Sequence, residues 1–344
     1  MDKEDEAGTP AAITGRANAG RAITDRANAG RANAGQAITG RANAGQAITG
    51  RANAGRAITG QVITNEMVFA ALPPRAPESH KGTYGRVLAV CGCPAYRGAA
   101  ALSALGALRA GAGIVTLAAP EAVIASVAAR ILEATFLPLP EDAVVASAAL
   151  ADAARRATVC LGGCGYEPDE TAAREMRLLL HHAAGTVVLD AGGLCSLAAE
   201  PDTLREAAGR LIITPHPGEM ARLADRPTAH ILQAPAQIAC GMAKRLGAVV
   251  VLKGHRTLVA TPAGQLYENR TGNAGLARGG SGDVLAGIIA GLAAQGLTPV
   301  QAAVCGVYLH GLAADRCAAR LSMQGMLPED ILSDLCAVYL ENGR

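Results

Sequence analysis

Between residues 86 and 252, short apolar runs of the kind found in buried strands alternate with stretches of helical patterning. Each run is apolar throughout rather than at every second residue, so both faces of each strand should be covered. This alternation predicts an α/β fold with a mostly parallel central sheet and helices on both faces. The predicted strands cover residues 86–91, 114–118, 158–161, 186–190, 211–214 and 248–252.

A hairpin and several helices complete the predicted fold. Residues 257–261 and 265–268 flank Pro262-Ala263-Gly264 and predict a hairpin at one side of the sheet. Thr298-Pro299-Val300-Gln301 is a capping box with proline at the first helical position, and it predicts a helix to about residue 316. The whole C-terminal third is expected to be helical. Further helical patterning covers residues 98–110, 121–131, 170–183, 217–224 and 234–246.

Composition and charge exclude several classes of protein. Half of the 344 residues are hydrophobic but only 2% are aromatic, so the core must be built from Ala, Val, Leu and Ile. A net charge of +2 is too small to favour nucleic acid or an anionic membrane, and we expect neither partner. No apolar run approaches ~18 residues, and the chain does not start with a basic and then apolar secretory signal.

The nine cysteines do not show the spacing of a disulfide framework or of a zinc site. Cys160, Cys240, Cys305 and Cys336 lie inside apolar runs, as small buried hydrophobic residues do in a reducing cytosol. Cys91-Gly92-Cys93 is the one close pair, and two ligands do not make a zinc site. We therefore expect a cytoplasmic protein, and the sequence identifies no set of metal ligands.

Residues 16–64 are a repeat of five-residue units such as Arg-Ala-Asn-Ala-Gly and Gln-Ala-Ile-Thr-Gly. A five-residue period could wind a square β-helix with Ala17, Ala22 and Ala27 pointing inward. The other inward position would hold Ala or Thr, which is too small to build a core. We expect a disordered low-complexity tail over residues 1–61 and a single globular domain over residues 62–344. Circular dichroism of residues 1–62 would distinguish the two interpretations of the repeat.

Polar residues and glycines follow four of the predicted strands. In open α/β sheets, ligands bind beyond the carboxyl ends of the strands. Segments of this composition at four strand ends therefore predict a functional site. The four segments are 162–165 (Gly-Gly-Cys-Gly), 190–193 (Asp-Ala-Gly-Gly), 214–219 (Thr-Pro-His-Pro-Gly-Glu) and 253–254 (Lys-Gly).

Gly279-Gly280-Ser281-Gly282-Asp283 precedes an apolar run over residues 284–294. Glycines let backbone N–H groups turn toward one point and let an anion approach closely. If a helix starts at Asp283, its unpaired N–H groups and positive dipole end strengthen this anion site. A carboxylate there is a candidate general base, which takes a proton from a hydroxyl while a phosphate is held. The alternative interpretation is a glycine-rich turn capped by Asp at the start of a buried helix.

Two other strand ends carry candidate ligand-binding residues. Lys253 offers a point charge for phosphate and Gly254 allows a sharp turn, although an ordinary surface turn would look the same. The two prolines of Pro215-His216-Pro217 fix the backbone around His216, which indicates that this side chain is positioned for a substrate. Pro217 also opens a helix, so Glu219 in its first turn is expected to cap that helix.

Six motifs stand in order along the chain: His80-Lys-Gly-Thr-Tyr-Gly-Arg86, Tyr96-Arg-Gly-Ala99, Leu108-Arg-Ala-Gly-Ala-Gly-Ile-Val115, Pro215-His-Pro-Gly-Glu219, Lys253-Gly-x-x-Thr257 and Asn273-Ala-Gly with the glycine-rich turn up to Gly287. In this combination and spacing they resemble the ADP/ATP-dependent NAD(P)H-hydrate dehydratases, a family of the ribokinase-like superfamily. The resemblance covers about residues 62–344. The glycine-rich turn alone would indicate only the superfamily.

The resemblance implies repair of (6S)-NAD(P)H hydrate, the inactive hydrated form of NADH or NADPH (NADHX or NADPHX). The family uses ADP or ATP, with Mg²⁺, to phosphorylate the ring hydroxyl. Phosphate then leaves and NADH or NADPH is restored, which makes the enzyme a carbon–oxygen lyase. The sequence leaves open whether ADP or ATP is used, and we expect a homo-oligomer.

The family's site residues carry over to matching positions of this sequence. Asp283 would be the base that activates the ring hydroxyl. Contacts with the hydrate would be made by Ala99, Gly165, His216 and Asp283. The adenine nucleotide would be held by Lys253, Gly254, His255, Arg256 and Thr257, with Gly282 on its phosphate side.

Four positions depart from the family's pattern. Gly192 stands where a second Asp is usual, which removes a possible contact to a metal or water, and Arg278 stands where Thr is usual. Cys91-Gly92-Cys93 replaces a Gly-Gly-Ser turn, and Ala274 replaces a proline. Many relatives carry a fused epimerase domain, but the repeat occupies that end here, so we expect no epimerase activity. Two alternatives stay open: a superfamily kinase acting on a small alcohol, such as a thiazole or pyrimidine precursor, and an inactive nucleotide-binding regulator.

Overall fold

A computed structural model describes residues 60–344. Residues 1–59, which hold most of the predicted tail, lie outside the described residues. The described chain opens with strand β1, Gln61–Val62, which pairs in parallel with Leu266–Glu268 near the end of the sheet. This strand begins one residue before the predicted domain boundary at residue 62.

Within residues 60–344, ten strands form one sheet in the order β1-β10-β9-β8-β7-β6-β5-β2-β3-β4. The seven strands from β8 to β4 in that order are parallel to one another, whereas β9 is antiparallel to both β8 and β10. The remaining strands are β2 (Arg86–Val90), β3 (Ile114–Pro120), β4 (Thr135–Leu139), β5 (Val159–Gly162), β6 (Thr186–Leu189), β7 (Leu211–Ile213), β8 (Val249–Leu252), β9 (Leu258–Ala260) and β10 (Leu266–Glu268).

The six predicted strands and the predicted hairpin are confirmed, with ends that agree to within two residues. Strands β1 and β4 were not predicted. β1 has only two residues, and β4 contains Pro138. A proline in a sequence argues against a central strand because it has no N–H to donate. Because β4 lies at the edge of the sheet, a missing N–H on its outer side costs no ladder bond.

Thirteen α-helices of the described chain cover the two faces of the sheet. Strand residues alternate between two hydrophobic clusters: Val87 and Ala89 join one, Leu88 and Val90 the other. The helices on the first face are α1 (Asn65–Ala71), α2 (Arg97–Arg109), α3 (Glu121–Val127), α11 (Ser281–Ala294), α12 (Pro299–Gly325) and α13 (Pro328–Glu341). Those on the second face are α4 (Ala143–Arg156), α5 (Glu170–His182), α6 (Ala191–Ser196), α7 (Pro201–Arg205), α8 (Pro217–Ala224), α9 (Thr228–Gln233) and α10 (Pro235–Leu246).

The five internal helices predicted from patterning are all present, and the C-terminal third is helical as expected. The helix predicted from residue 298 to about residue 316 extends to Gly325, with a non-helical backbone at Ser322 (φ 67°). It has the predicted capping box, in which Thr298 Oγ accepts from Gln301 N and Gln301 Oε1 accepts from Thr298 N. No helix among residues 60–344 is both long and apolar enough to cross a membrane.

Helix α11 is buried between α2 and the sheet. A Cβ on Gly287 would lie 2.2 Å from the carbonyl oxygen of Ser103 on α2, and one on Gly291 would lie 2.4 Å from that of Ala107. These glycines therefore serve close contact between two helices. Since α11 carries the glycine-rich turn at its start, this packing fixes the position of the turn.

Candidate active site

A cavity of about 690 Å³ opens at the carboxyl ends of β6, β7 and β8, beside the start of α11. We call it the catalytic cavity. Its lining includes the predicted residues Asp190, His216, Lys253 and Asp283, which are brought together from four separate segments. A site at this edge of the sheet agrees with the position of the polar strand ends in the sequence.

The glycine-rich turn begins helix α11 two residues earlier than the sequence suggested. Gly280 is the N-cap residue in the left-handed conformation (φ 97°), and the helix starts at Ser281. A Cβ on Gly280 would lie 2.7 Å from Leu102 and would strain the backbone besides, so glycine is required there. Asp283 falls in the first turn, where the helix dipole favours a negative charge.

Asp283 has a carboxyl group suited to proton transfer near neutral pH. Burial and the nearby charge of Asp190 raise its pKa to about 7, although Lys253 and the neighbouring Cys164 thiol act in the opposite direction. The Cys164 sulfur and carboxylate oxygens of Asp190 and Asp283 lie within 4.8 Å of one another. A general base works best when its pKa is close to the operating pH.

Lys253 lies between two carboxylates. Its Nζ donates to Asp190 Oδ1 at 2.7 Å and lies 3.8 Å from Glu219 Oε2. Burial alone would lower the pKa of Lys253, but the two carboxylates raise it above its ordinary value, so the ammonium stays charged. The site therefore holds a fixed positive charge next to the candidate base.

His216 and Glu219 form a reciprocal capping box at the start of α8. His216 Nδ1 accepts from the backbone N–H groups of Gly218 (3.0 Å) and Glu219 (3.3 Å), and Glu219 Oε2 accepts from His216 N (2.8 Å). The capping role predicted for Glu219 is present. Because Nδ1 accepts, the neutral ring carries its proton on Nε2, which lies 3.3 Å from Glu219 Oε1.

Most of the predicted nucleotide-binding residues line the catalytic cavity. Lys253, Gly254, His255, Thr257 and Gly282 do so. A Cβ on Gly282 would lie 3.3 Å from Lys253 Nζ, so any larger residue would crowd the ammonium group.

Arg256 is the predicted nucleotide residue that does not line the cavity. Its Nη1 donates to Glu268 Oε1 at 3.1 Å, on strand β10. Arg270 Nε donates to the same carboxylate oxygen at 2.9 Å. Arg256 is thus part of an exposed ion-pair cluster on the hairpin.

Ala99 and Gly165 are the other predicted contacts to the hydrate. They lie against each other, and neither residue lines the catalytic cavity. A Cβ on Gly165 (φ 68°) would lie 2.5 Å from Ala99 Cβ. Gly165 directly follows Cys164, whose sulfur lies within 4.8 Å of a carboxylate oxygen of Asp283. Their role in binding stays a prediction.

Two buried polar atoms in the catalytic cavity were missed by sequence reasoning. Ser281 Oγ and His310 Nε2 have no hydrogen-bond partner among residues 60–344, although both side chains are buried. Burial and the charge of Lys253 lower the pKa of His310 to about 4, so its ring is neutral at pH 7. Buried polar atoms are rarely left unpaired, so these two are positioned to bond a ligand or water. The one sequence signal is a single His in the apolar stretch 302–314.

The departures at Gly192 and Arg278 have local structural explanations. A Cβ on Gly192 would lie 1.8 Å from the carbonyl oxygen of Tyr166, so the chain at Tyr166 occupies the space that an aspartate would need. Arg278 Nη2 donates to the carbonyl oxygen of Gln324 at 2.9 Å, which directs the guanidinium toward the end of α12.

The motif His80–Arg86 precedes β2, so it lies at the amino ends of the parallel strands, opposite the catalytic cavity. Its residues 81–84 form a single 3-10 turn, which His80 caps. Gly85 (φ 70°) packs where a Cβ would lie 2.1 Å from the carbonyl oxygen of Ala294, at the end of α11. This motif therefore serves packing of the central helix, and it does not line the catalytic cavity.

Comparisons with known proteins agree with this architecture. A family model described as NAD(P)H-hydrate dehydratase matches residues 87–336. The chain is 42% identical over 280 residues to the bifunctional NAD(P)H-hydrate repair enzyme Nnr of Moorella thermoacetica, covering 80% of this chain and 53% of that protein. It is 39% identical over 266 residues to the ADP-dependent (S)-NAD(P)H-hydrate dehydratase of Xanthomonas campestris pv. campestris, covering 76% and 90%. The chain thus spans about half the length of its bifunctional relatives.

A crystal structure gives the same result for the fold. The ADP/ATP-dependent NAD(P)H-hydrate dehydratase from Bacillus subtilis, co-crystallized with ATP/Mg²⁺, has a TM-score of 0.73 and 33% identity, covering 83% of this chain and 100% of that one. The sheet order and the glycine-opened helix bearing Asp283 define an α/β protein of the ribokinase-like class. Within that class, the chain belongs to the NAD(P)H-hydrate dehydratase family.

Proposed function

We propose that this protein uses ADP or ATP to dehydrate (6S)-NAD(P)H hydrate to NAD(P)H through a phosphorylated intermediate. The observation that carries the proposal is Asp283, a carboxyl group with a pKa of about 7 at the start of a glycine-opened helix, inside the catalytic cavity. The named functions of the relatives from Xanthomonas campestris and Bacillus subtilis support it.

Asp283 would take the proton of the C6 hydroxyl as that oxygen attacks the terminal phosphorus of the nucleotide. The bond from phosphorus to the nucleotide oxygen breaks, which leaves AMP from ADP or ADP from ATP. Hydroxide is a poor leaving group and phosphate is a good one, so the C6–O bond now breaks with the electrons on phosphate. The lone pair of the ring nitrogen fills the vacancy at C6, and loss of a C5 proton completes the C5=C6 double bond.

The surrounding residues supply binding and electrostatic stabilisation. The ammonium of Lys253 and the N–H groups at the start of α11 attract the phosphates of the nucleotide. His216, which lines the catalytic cavity, would contact the hydrate. Positioning and charge stabilisation of this kind provide most of the catalysis in phosphoryl transfer.

The donor set of the cavity suits Mg²⁺ in part. Mg²⁺ prefers oxygen ligands and is usually held by one or two carboxylates together with substrate phosphates. One oxygen of Asp190 is bonded to Lys253, which leaves the other as a ligand, whereas the Cys164 thiol is too soft. We infer that Asp190 and the nucleotide phosphates would hold the ion, which would neutralise phosphate charge when bound.

The proposal includes three further features of the molecule. Residues 62–344 would be the catalytic domain, the protein would act in the cytoplasm, and it would form a homo-oligomer without nucleic-acid or membrane partners. The small net charge supports the expected absence of nucleic-acid and membrane partners. The spacing of the cysteines supports the cytoplasmic location.

An assay with purified protein, NADH hydrate, Mg²⁺ and either ADP or ATP tests the activity by recovery of NADH absorbance. We expect nucleotide-dependent recovery, with a loss of roughly 10²–10⁴-fold in Asp283→Ala. The exposed Asp202→Ala is the matched control and should keep the full rate. If folded protein binds the nucleotides but restores no NADH with either, the proposal is wrong, and phosphorylation of small alcohols should be measured instead.

A further inference from the structure

A second cavity, of about 530 Å³, adjoins the catalytic cavity. The two cavities share His216 and Ala191 in their linings, so His216 stands at the boundary between them. We call the second one the arginine cavity, because Arg222 and Arg226 line it together with Tyr166, Pro168, Cys195 and Pro227. Nothing in the reaction at Asp283 uses these residues.

The arginine cavity carries uncompensated positive charge. None of the ion pairs among residues 60–344 includes Arg222 or Arg226. Arg222 lies beside the Cys195 thiol. The one carboxylate in the lining, Glu219, already accepts from His216 N at 2.8 Å and lies 3.8 Å from Lys253 Nζ. Two guanidinium groups in the lining of one cavity are suited to an anion such as phosphate.

The size of the substrates makes a second compartment necessary. Two nucleotides must meet at Asp283: the phosphoryl donor and a dinucleotide whose nicotinamide end carries the hydroxyl. A single ligand site typically occupies about 300–1,000 Å³, and the catalytic cavity of about 690 Å³ falls inside that range. With the donor on the Lys253–Thr257 side, the rest of the dinucleotide has to leave past His216.

We propose that the arginine cavity binds the diphosphate of the dinucleotide substrate, with Arg222 and Arg226 as its ligands. This inference rests on the proposed function, since it takes the substrate to be NADHX or NADPHX. His216 then lies between the hydrated ring and the first ribose. The rings of Tyr166, Pro168 and Pro227 provide an apolar wall for the sugar and base beyond the diphosphate. Both hydrates share the diphosphate, so both depend on the two arginines equally.

Arg222→Met and Arg226→Met test this assignment, with the exposed Arg155→Met on α4 as the matched control. Circular dichroism and the melting temperature should match wild type in all three. With either NADHX or NADPHX, we expect KM to rise roughly 10- to 100-fold in each cavity variant, while kcat changes by less than about threefold. The hydrate of reduced nicotinamide riboside has no phosphate, so its KM should be the same in wild type and variants.

A fluorescence titration with NADH gives a readout that needs no turnover. Wild type and Arg155→Met should bind NADH equally, and both cavity variants should bind it more weakly by a similar factor to the KM effect. An unchanged KM and an unchanged NADH affinity in the cavity variants, with an active wild type, overturn the diphosphate site and leave the dehydratase function intact. A loss confined to NADPHX overturns it as well, because the 2′-phosphate would then be the group recognised. A wild type that restores no NADH but binds it through the arginines contradicts only the dehydratase function.

Discussion

At the scale of single residues, the behaviour of Asp283 depends on three neighbours with opposing effects. Asp190 raises its pKa through like charge, while Lys253 and the Cys164 thiol favour its ionised form. Asp190 is itself paired with Lys253 at 2.7 Å, so the charge that opposes Asp283 is partly neutralised. The result is a carboxyl group whose pKa of about 7 lies far above its ordinary value but still permits ionisation at neutral pH.

The first prediction concerns the pH dependence of the proposed dehydratase reaction. The base must be ionised to accept the hydroxyl proton, so kcat/KM should rise about tenfold per pH unit below about pH 7 and level off above it. In Cys164→Ala the ionised carboxylate loses a neighbouring thiol that favours it, which raises the pKa of Asp283. The rising limb should then move to higher pH by about one unit. Initial rates between about pH 5 and pH 9 measure both effects.

The control for that shift is Cys240→Ala, because Cys240 lies on α10 and does not line the catalytic cavity. Its profile should coincide with that of wild type. A limb that stays in place in Cys164→Ala, or that moves to lower pH, would mean that the thiol does not stabilise the ionised carboxylate of Asp283.

The second prediction is that Asp283→Asn stabilises the folded protein at high pH. Burial raises the pKa of Asp283 in the folded state, so ionisation costs stability there. The cost is absent below about pH 4, grows as the unfolded carboxyl ionises, and is complete above about pH 7. Asn removes it, and the gain above pH 7 should be on the order of 2 kcal/mol, allowing for the partial exposure of the carboxyl group.

Thermal unfolding of wild type and Asp283→Asn at about pH 4 and pH 8 measures this difference. The melting temperatures should separate at pH 8 and converge at pH 4. Asp202→Asn, at an exposed position, should show no such pH-dependent gain. A variant that is less stable than wild type at pH 8 would mean that the carboxylate is well solvated or compensated in the folded protein.

At the scale of secondary-structure elements, the contact between α11 and α2 determines where the catalytic turn lies. The closest approaches are at Gly287 and Gly291 on α11 and at Gly106 on α2, where a Cβ would lie 2.8 Å from the carbonyl oxygen of Val284. Such close packing lets α11 sit between α2 and the sheet without a gap. The position of Asp283 therefore depends on residues one to two turns further along its helix.

The third prediction follows from this contact. In Gly287→Ala, the new methyl group meets the backbone of Ser103, so the helices must separate, at a cost of roughly 1–3 kcal/mol. Gly241→Ala on α10 is the matched control, since nothing lies within 4 Å of its Cβ position. It should stabilise the protein by about 0.5–1 kcal/mol through helix propensity. Urea unfolding measures both changes, and equal effects of the two substitutions would contradict the close contact.

An element could be predicted from the sequence when residues close together in the chain determine it, and could not when long-range contacts determine it. Strands β5 to β8 were predicted because continuous apolar runs between glycines and polar residues have few other interpretations. The edge strand β4 was missed because Pro138 is tolerated only through its place at the edge, which is a property of the assembled sheet. Long-range pairing is likewise why the α11–α2 contact and the carboxylate partner of Arg256 could not be predicted.

The same distinction holds for the candidate site. Glu219 caps its own helix, so a five-residue motif was enough to predict that role, whereas the reciprocal cap by His216 was not predicted. His310 lies on a helix that begins at Pro299, and only the folded chain brings its ring next to the turn at Ser281. The motif around His80 is typical of the family but serves packing far from the site, so a family motif does not by itself identify a residue of the site.

At the scale of the whole molecule, the catalytic cavity is built from segments between Asp190 and Gly311, all of them within the described chain. The sheet that supports it extends to β1, which pairs with β10 next to the hairpin. Ile63 is buried, and its N–H donates to Glu268 O at 3.0 Å. Residues just before α1 therefore belong to the fold.

The fourth prediction compares two truncations of the chain. Removing residues 1–59 should leave the melting temperature and the proposed dehydratase activity within about twofold of those of the full chain, because every residue of the catalytic cavity remains. Removing residues 1–64 also deletes β1, the buried Ile63 and the Thr64 side chain, which accepts from Met67 N at 3.3 Å as the cap of α1. The lost cap and buried side chain together should lower the free energy of unfolding by about 2–4 kcal/mol. Urea unfolding and NADH recovery on all three chains make the measurement. Loss of activity on removal of residues 1–59 would mean that the repeat takes part in the site. Equal stability of the two truncated chains would mean that β1 adds nothing to the stability of the sheet.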